Sequence, residues 1–331
     1  MMGDSRGGWL SPVAALAVAA AIGSTITAKA RDLRAADIQA QGFASVQALR
    51  EMGRLIAERS GGRHQMMVFH TGELGDEGQT IEQTRAGIID ISRVNAVEIG
   101  QFAPALNVLA LPFLFRSNEH LHKVIDGPIG NEILASLDDY DFVGLTFYDA
   151  GARSIYAASK LVRTLADLKG LRLRVQQSEL MDKMATALGA DPVRLSYLRI
   201  PTALSTGLID AADGNWPAFM TGGHYKVAPF YSLTEHTRAP SVVIMSRRVW
   251  DELSLQDRAI IHEAAHESAQ HMREMWRRAE NEARTQAAAA GVTIGNDIDR
   301  KPFEEATKPL RDELAADPRF APLIQRIEAA Q

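Results

Sequence analysis

Gly87-Ile88-Ile89-Asp90, with Asn95 after it, recurs 120 residues later as Gly207-Leu208-Ile209-Asp210, with Asn215 after it. In both copies a helical stretch stops at glycine, a hydrophobic pair opens an extended run, and polar residues follow. Thr80–Ala86 reads as the first of these helices and Ile88–Val94 as its strand. So short a match is compatible with chance. Its physical reading is two similar α/β lobes. Each would present polar residues from a strand's C-terminal end to a shared cleft, where open α/β sheets bind ligands.

The flanking sequence alternates in the same way. Val46–Arg59 has helical spacing and ends at Gly61-Gly62, and Gln65–Phe69 reads as a buried strand. Phe142–Tyr148, Leu171–Val175 and Val242–Met245 are further strands, and Leu180–Leu188 is a helix. Asp167-Leu168-Lys169-Gly170 is a turn. This alternation predicts an α/β fold with largely parallel sheets. From Ser254 to Ala290 there is neither proline nor glycine, and Ser254 with Asp257 forms a capping-box-like start. A helix of about 37 residues is about 55 Å long, more than one small domain needs, so it is expected to span both lobes. Residues 31–150 plus about 240–280 are assigned to lobe I, and 151–239 plus about 281–331 to lobe II.

Composition sets limits on function. The chain has 331 residues, 46% hydrophobic and 23% charged, which fits a globular protein rather than a disordered or fibrous one. With no cysteine there is no disulfide framework, thiolate metal site or cysteine nucleophile. A net charge of -5, with no basic run, argues against a nucleic-acid partner. Residues 1–30 read as an export signal: Arg6 precedes the apolar run Leu10–Ile22, and Ala28-Lys29-Ala30 fits a cleavage site. The apolar run, about 13 residues, is shorter than the ~20 a membrane-spanning helix needs. A periplasmic protein with a cleavable signal peptide is therefore expected.

The loudest catalytic motif is His262-Glu263-Ala264-Ala265-His266, an H-E-x-x-H match that on a helix can hold zinc beside a glutamate base. It supports an alternative reading, a secreted zinc-dependent hydrolase. The apolar stripe Ile260, Ile261, Ala264, Ala265, Met272, Met275 and Trp276 lies on the other side of that helix, which places both histidines toward solvent. No G-x-S-x-G, Walker A, G-x-G-x-x-G or EF-hand loop occurs, and no cofactor is expected. What remains suits a small anion. Arg153 follows the strand Phe142–Tyr148, and Arg174 shares a strand face with Arg172. An arginine in a buried strand needs an anionic partner, and its planar fork fits a carboxylate. The bland alternative is that both are surface charges.

These residues carry a family resemblance. Asp167-Leu-Lys-Gly-Leu-Arg-Leu-Arg174-Val175, Leu188-Gly-Ala190 and Ala203-Leu-Ser-Thr-Gly-Leu-Ile-Asp210 resemble the solute-binding proteins of TRAP transporters, the DctP family. So do His70-Thr-Gly-Glu-Leu-Gly75 and Leu111-Pro-Phe-Leu-Phe115, in the family's order along the whole mature chain. Asn215-Trp216-Pro217, His224-Tyr225, Tyr231-Ser-Leu-Thr-Glu-His236 and Val249-Trp250-Asp251 are similar to the members that bind uronic acids. The resemblance implies a two-lobed, flytrap-like fold and a non-enzymatic receptor that captures an organic acid and hands it to a membrane permease, its one contact with the membrane. By position, Arg174 matches the arginine that pairs with the ligand carboxylate, and Arg153 a supporting one. The chain departs from the pattern at Gly214, where the family has a ligand-binding Asn, at Arg199 for a usual Glu and at Pro201 for a usual Tyr. Gln39 stands where uronate binders tend to have His.

Other candidates have competing readings. Glu77 would accept sugar hydroxyls or serve as a loop carboxylate. Asn95 would contact a hydroxyl or close a strand-end turn. Trp216 would stack on a pyranose face or fill the core. His236 would touch ligand, act at the hinge or be a satisfied structural histidine.

Overall fold

The computed structural model describes residues 30–330. The export signal expected over residues 1–30 lies, Ala30 apart, outside them. The strands are β1 (Arg31–Ala36), β2 (His64–Phe69), β3 (Ile91–Asn95), β4 (Phe142–Tyr148), β5 (Arg153–Ala157), β6 (Arg172–Val175), β7 (Asp191–Arg194), β8 (Ala211–Gly214), β9 (Phe230–Thr237), β10 (Ser241–Ser246) and β11 (Thr293–Gly295).

They form two sheets, ordered β2-β1-β3-β10-β4 and β11-β9-β5-β8-β6-β7. Read from β7, the second sheet repeats the first. In each, two parallel pairings (β2/β1/β3 and β7/β6/β8) are followed by two antiparallel ones (β3/β10/β4 and β8/β5/β9). The sheets are therefore mixed, not largely parallel as expected. The cause is an exchange: β10 returns late in the chain to sit beside β4, while β5 leaves early to sit beside β9. Register places Tyr148 opposite Ser241 and Arg153 opposite Thr237, so the two strand crossings between lobes run side by side. At the first crossing Gly151 takes a φ of +61°, and a Cβ there would lie 3.0 Å from the Trp276 indole.

The 120-residue repeat is the structural unit of each lobe. Gly87 and Gly207 end their helices at φ +77° and +69°. The amides of Ile88 and Ile89 both donate to Gln83 O, and those of Leu208 and Ile209 both to Ala203 O. Asp90 Oδ2 accepts from the Arg34 amide, and Asp210 Oδ2 from the Arg172 amide. This glycine turn occupies Ile88 and Ile89, so β3 begins at Ile91 rather than at Ile88 as expected. Each copy then runs as a wholly buried strand, β3 or β8, to Asn95 or Asn215.

The long helix spans Leu255–Ala289, 35 residues, and Ser254 Oγ caps it by accepting from the Asp257 amide at 3.1 Å. Ile261, Ala264, Ala265, Met272 and Trp276 pack into the first lobe with Leu49, Met52 and Ile56. Ala283 and Ala287 pack into the second with Trp216 and Tyr231. The helix thus braces both lobes. The last helix, Ala321–Ala329, departs from its assignment to lobe II. Leu323, Ile324 and Ile327 are apolar and pack with Val94, Leu121 and Val124 of the first lobe. His120 Nε2 is 2.8 Å from Ile327 O, and Arg116 donates to the carbonyls of Glu328 and Ala330.

Candidate functional site

The C-terminal ends of β1, β3, β6 and β8 face one another across a cleft with about 420 Å³ of space free of atoms, its opening included. Gln39, Glu77, Arg93 and Asn95 line the first lobe's wall; Arg153, Arg174, Gln176, Asp213 and Asn215 line the second. The walls already touch: the Gln177 amide donates to Glu98 Oε1 at 3.1 Å.

The two arginines have different partners. Arg153 Nε donates to Asp213 Oδ2 at 2.6 Å and its Nη2 to Asp213 O at 2.9 Å. His236 Nε2 lies 3.3 Å from the same Oδ2, and Thr234 Oγ1 lies 2.8 Å from His236 Nδ1. Burial works to raise the Asp213 pKa, but the charges and hydrogen bonds of Arg153 and His236 hold it well below the usual carboxylate range. Arg174 is 2% exposed, and its Nε donates to Leu195 O at 2.8 Å. Among the described residues no carboxylate pairs with it. Burial first, then the charge of Arg153, push its pKa below the ordinary arginine value, while Asp213 and Glu98 oppose the shift. Its chain neighbour Arg172 is exposed and bidentate to Asp210.

On the opposite wall, Asp76 and Gln79 form a capping box that starts the helix Glu77–Arg85. Glu77, its first residue, is buried, and its Oε1 accepts from the Asn95 amide at 3.0 Å and from Arg93 Nη1 at 3.3 Å. Burial, then the negative charges of Glu98 and Asp37, push its pKa up to about 7 against the pull of Arg93. Arg93 also binds Asp37 Oδ2 and Ser45 Oγ, each at 3.2 Å. Asn95 and Asn215 occupy matching places. Each caps a short helix through Oδ1, to the Val97 amide at 3.0 Å and the Ala218 amide at 2.8 Å.

Six of the eight sequence candidates line the cleft: Arg174, Arg153, Asn215, Glu77, Asn95 and Gln39. Trp216 and His236 lie behind it. Trp216 stacks on Tyr231 at 3.8 Å in the core, and the aromatic rings that do reach the cleft are Tyr156 and Tyr197. His262, Glu263 and His266 are exposed on the long helix, and among the described residues no cluster of metal-ligating side chains forms. Sequence reading missed Arg93, Asp213, Gln176, Tyr156 and Tyr197. Two had a signal: Arg93 and Asp213 are the lone charges of short strands, β3 and β8, and a charge in a buried strand needs a partner.

His224 sits behind the cleft, with Tyr156 Oη 2.7 Å from its Nδ1. Burial, then the charges of Arg174 and Arg153, push its pKa down to about 3. An unfolded histidine titrates near ~6.5, so between these values only the unfolded chain takes the proton. Its stability contribution is complete above about pH 6.5 and is lost as pH falls toward 3. Urea midpoints should therefore drop from pH 7 to pH 5, and less steeply in His224→Gln. Equal slopes in the two proteins would remove His224 from the acid response.

The fold and cleft have known counterparts. The model of the bacterial extracellular solute-binding protein family 7, DctP, matches residues 35–317. A solute-binding protein of Chromohalobacter salexigens is 33% identical over 96% of this chain and 95% of its own. A TRAP periplasmic solute-binding protein of Xanthobacter autotrophicus, crystallised with β-D-galacturonate, is 40% identical and superposes with a TM-score of 0.89 over 90% of this chain and 100% of its own. One of Roseobacter denitrificans, crystallised with β-D-glucuronate, is 35% identical with a TM-score of 0.89, over 91% and 100%.

Proposed function

The chain belongs to the DctP family of bacterial extracellular solute-binding proteins, and on that premise we propose that it is a periplasmic TRAP receptor for a sugar acid of the glucuronate or galacturonate kind. In this reading residues 1–30 direct export and are removed, and the loaded receptor delivers its acid to a two-part membrane permease.

Arg174 is the observation that carries the ligand's class. A buried guanidinium with no carboxylate paired to it among the described residues calls for a carboxylate from outside. Arg153 supports it from the side but is neutralised by Asp213. The opposite wall brings one arginine, Arg93, against two carboxylates, Asp37 and Glu77. Charge thus orients the ligand, carboxylate toward the second lobe and hydroxyls toward Glu77 and Asn95. Binding requires that the closed form hold the acid better than the open one, and contacts from both walls supply that difference.

A thermal-shift panel tests the reading. Residues 31–331 are unfolded and refolded to strip any carried-over acid. They are then melted with glucuronate, galacturonate, aldonates, C4-dicarboxylates, 2-oxo acids and the matching neutral sugars. Ligand at ~1,000 times Kd adds about 4 kcal/mol, enough to raise Tm by several degrees. Uronates should shift the protein and neutral sugars should not. A shift with the neutral sugars as large as with the uronates would remove the carboxylate clamp.

A further inference from the structure

Two side chains of the cleft are left short of a partner. Gln39 and Gln176 are 7% and 4% exposed, and each holds a carbonyl Oε1 closed off from solvent with no donor. Among the described cleft-lining residues, only these two carry such an atom. They stand on opposite walls, Gln39 just beyond β1 and Gln176 at the end of β6.

Their backbones are fixed. The Gln39 amide donates to Asp37 Oδ1 at 2.9 Å, and its carbonyl accepts from the Thr71 amide at 2.7 Å. The Gln176 carbonyl accepts from the Ser178 amide at 2.8 Å, and the next residue is held across the cleft by Glu98. Both side chains therefore start from fixed backbone positions, and burial restricts where their amide heads can go.

A buried acceptor without a donor costs free energy, which an arriving donor recovers. On an ionised sugar acid the only donors are hydroxyls, since the carboxylate accepts only. A hydroxyl both donates and accepts, so it satisfies a glutamine head in either orientation. An ionised dicarboxylate without hydroxyls, such as succinate, offers neither glutamine a proton. We propose that Gln39 and Gln176 read two separate hydroxyl groups of the ligand, one from each lobe, and so select polyhydroxylated acids over deoxy acids and dicarboxylates. This rests on the sugar-acid reading above.

Calorimetry on the refolded protein tests it with D-glucuronate, D-galacturonate, their ring monodeoxy analogues and succinate. The wild type should lose about 10-fold or more in affinity at two different deoxygenated positions. Gln176→Met should weaken uronate binding by a similar factor, leave one deoxy analogue unaffected and so erase the preference at that position. Gln39→Met should do the same at the other position. Both variants keep side-chain volume and should melt no lower than wild type. Equal losses on every ligand would overturn the proposal and leave the receptor reading intact. So would a wild type indifferent to every deoxygenation, which is decisive even if a variant fails to fold. A wild type that binds succinate and no uronate removes the sugar-acid reading and the proposal together.

Discussion

Arg174→Met should raise Kd for a uronate by about 100-fold or more, while the ligand-free protein melts no lower than wild type. The two halves of this result have one cause. Arg174 is a desolvated charge with no carboxylate partner among the described residues, so removing it relieves burial as well as losing one hydrogen bond to Leu195 O. In the proposed complex the same fork would donate two charge-assisted bonds, each worth roughly 1.5–3 kcal/mol. Together they are a large part of the ~8.2 kcal/mol that a micromolar Kd represents. Calorimetry and a melting curve on the same sample read both halves. Unchanged affinity would take the clamp away from Arg174. A large fall in Tm would assign the residue a structural role instead.

Arg153→Met should do the opposite to stability, lowering Tm on the order of 10 °C. Its partner Asp213 is 3% exposed and would keep His236 at 3.3 Å and the more distant charge of Arg174, with no arginine bonded to it. Removing one member of a buried pair costs about 3–5 kcal/mol because the other charge is left uncompensated. The acid limb should move as well. The Asp213 carboxylate is held below its ordinary pKa, so its contribution is complete above ~3.8 and lost as pH falls through the depressed folded value. Without Arg153 the folded value should move up toward ~3.8, so less stability should be lost to acid. A variant with wild-type Tm and an unchanged acid limb would show that the pair contributes nothing to the fold. In Arg153→Met/Asp213→Leu, with both charges gone, much of the lost stability should return.

What could be read from residues alone followed from local chemistry. The glycine turns at Gly87 and Gly207, the Ser254 cap and the apolar stripe of the long helix are each set by a few neighbouring positions, and all lie where sequence placed them. Of the cleft arginines, Arg153 and Arg174 were legible, since an arginine in a buried strand needs a partner, and Arg93 was missed. Which partner was not legible. Nothing in Arg153 or Arg174 says that Asp213, across a strand pair, neutralises one and leaves the other. Strand exchange is equally hidden, since β10 carries no mark of the sheet it joins. That exchange makes the sheets mixed. Trp216 and His236 show the same limit: their motif neighbourhood is shared with the cleft, but packing turns one ring onto Tyr231 and the other toward Asp213.

A crystal structure of the refolded chain with D-galacturonate or D-glucuronate tests the central claim most directly. The sugar should lie between the two sheets with its carboxylate on the Arg174 guanidinium at about 2.8 Å and its hydroxyls toward the wall of Glu77 and Asn95. A carboxylate held by the first lobe, or a sugar bound outside the cleft with Arg174 still unpaired, would contradict it.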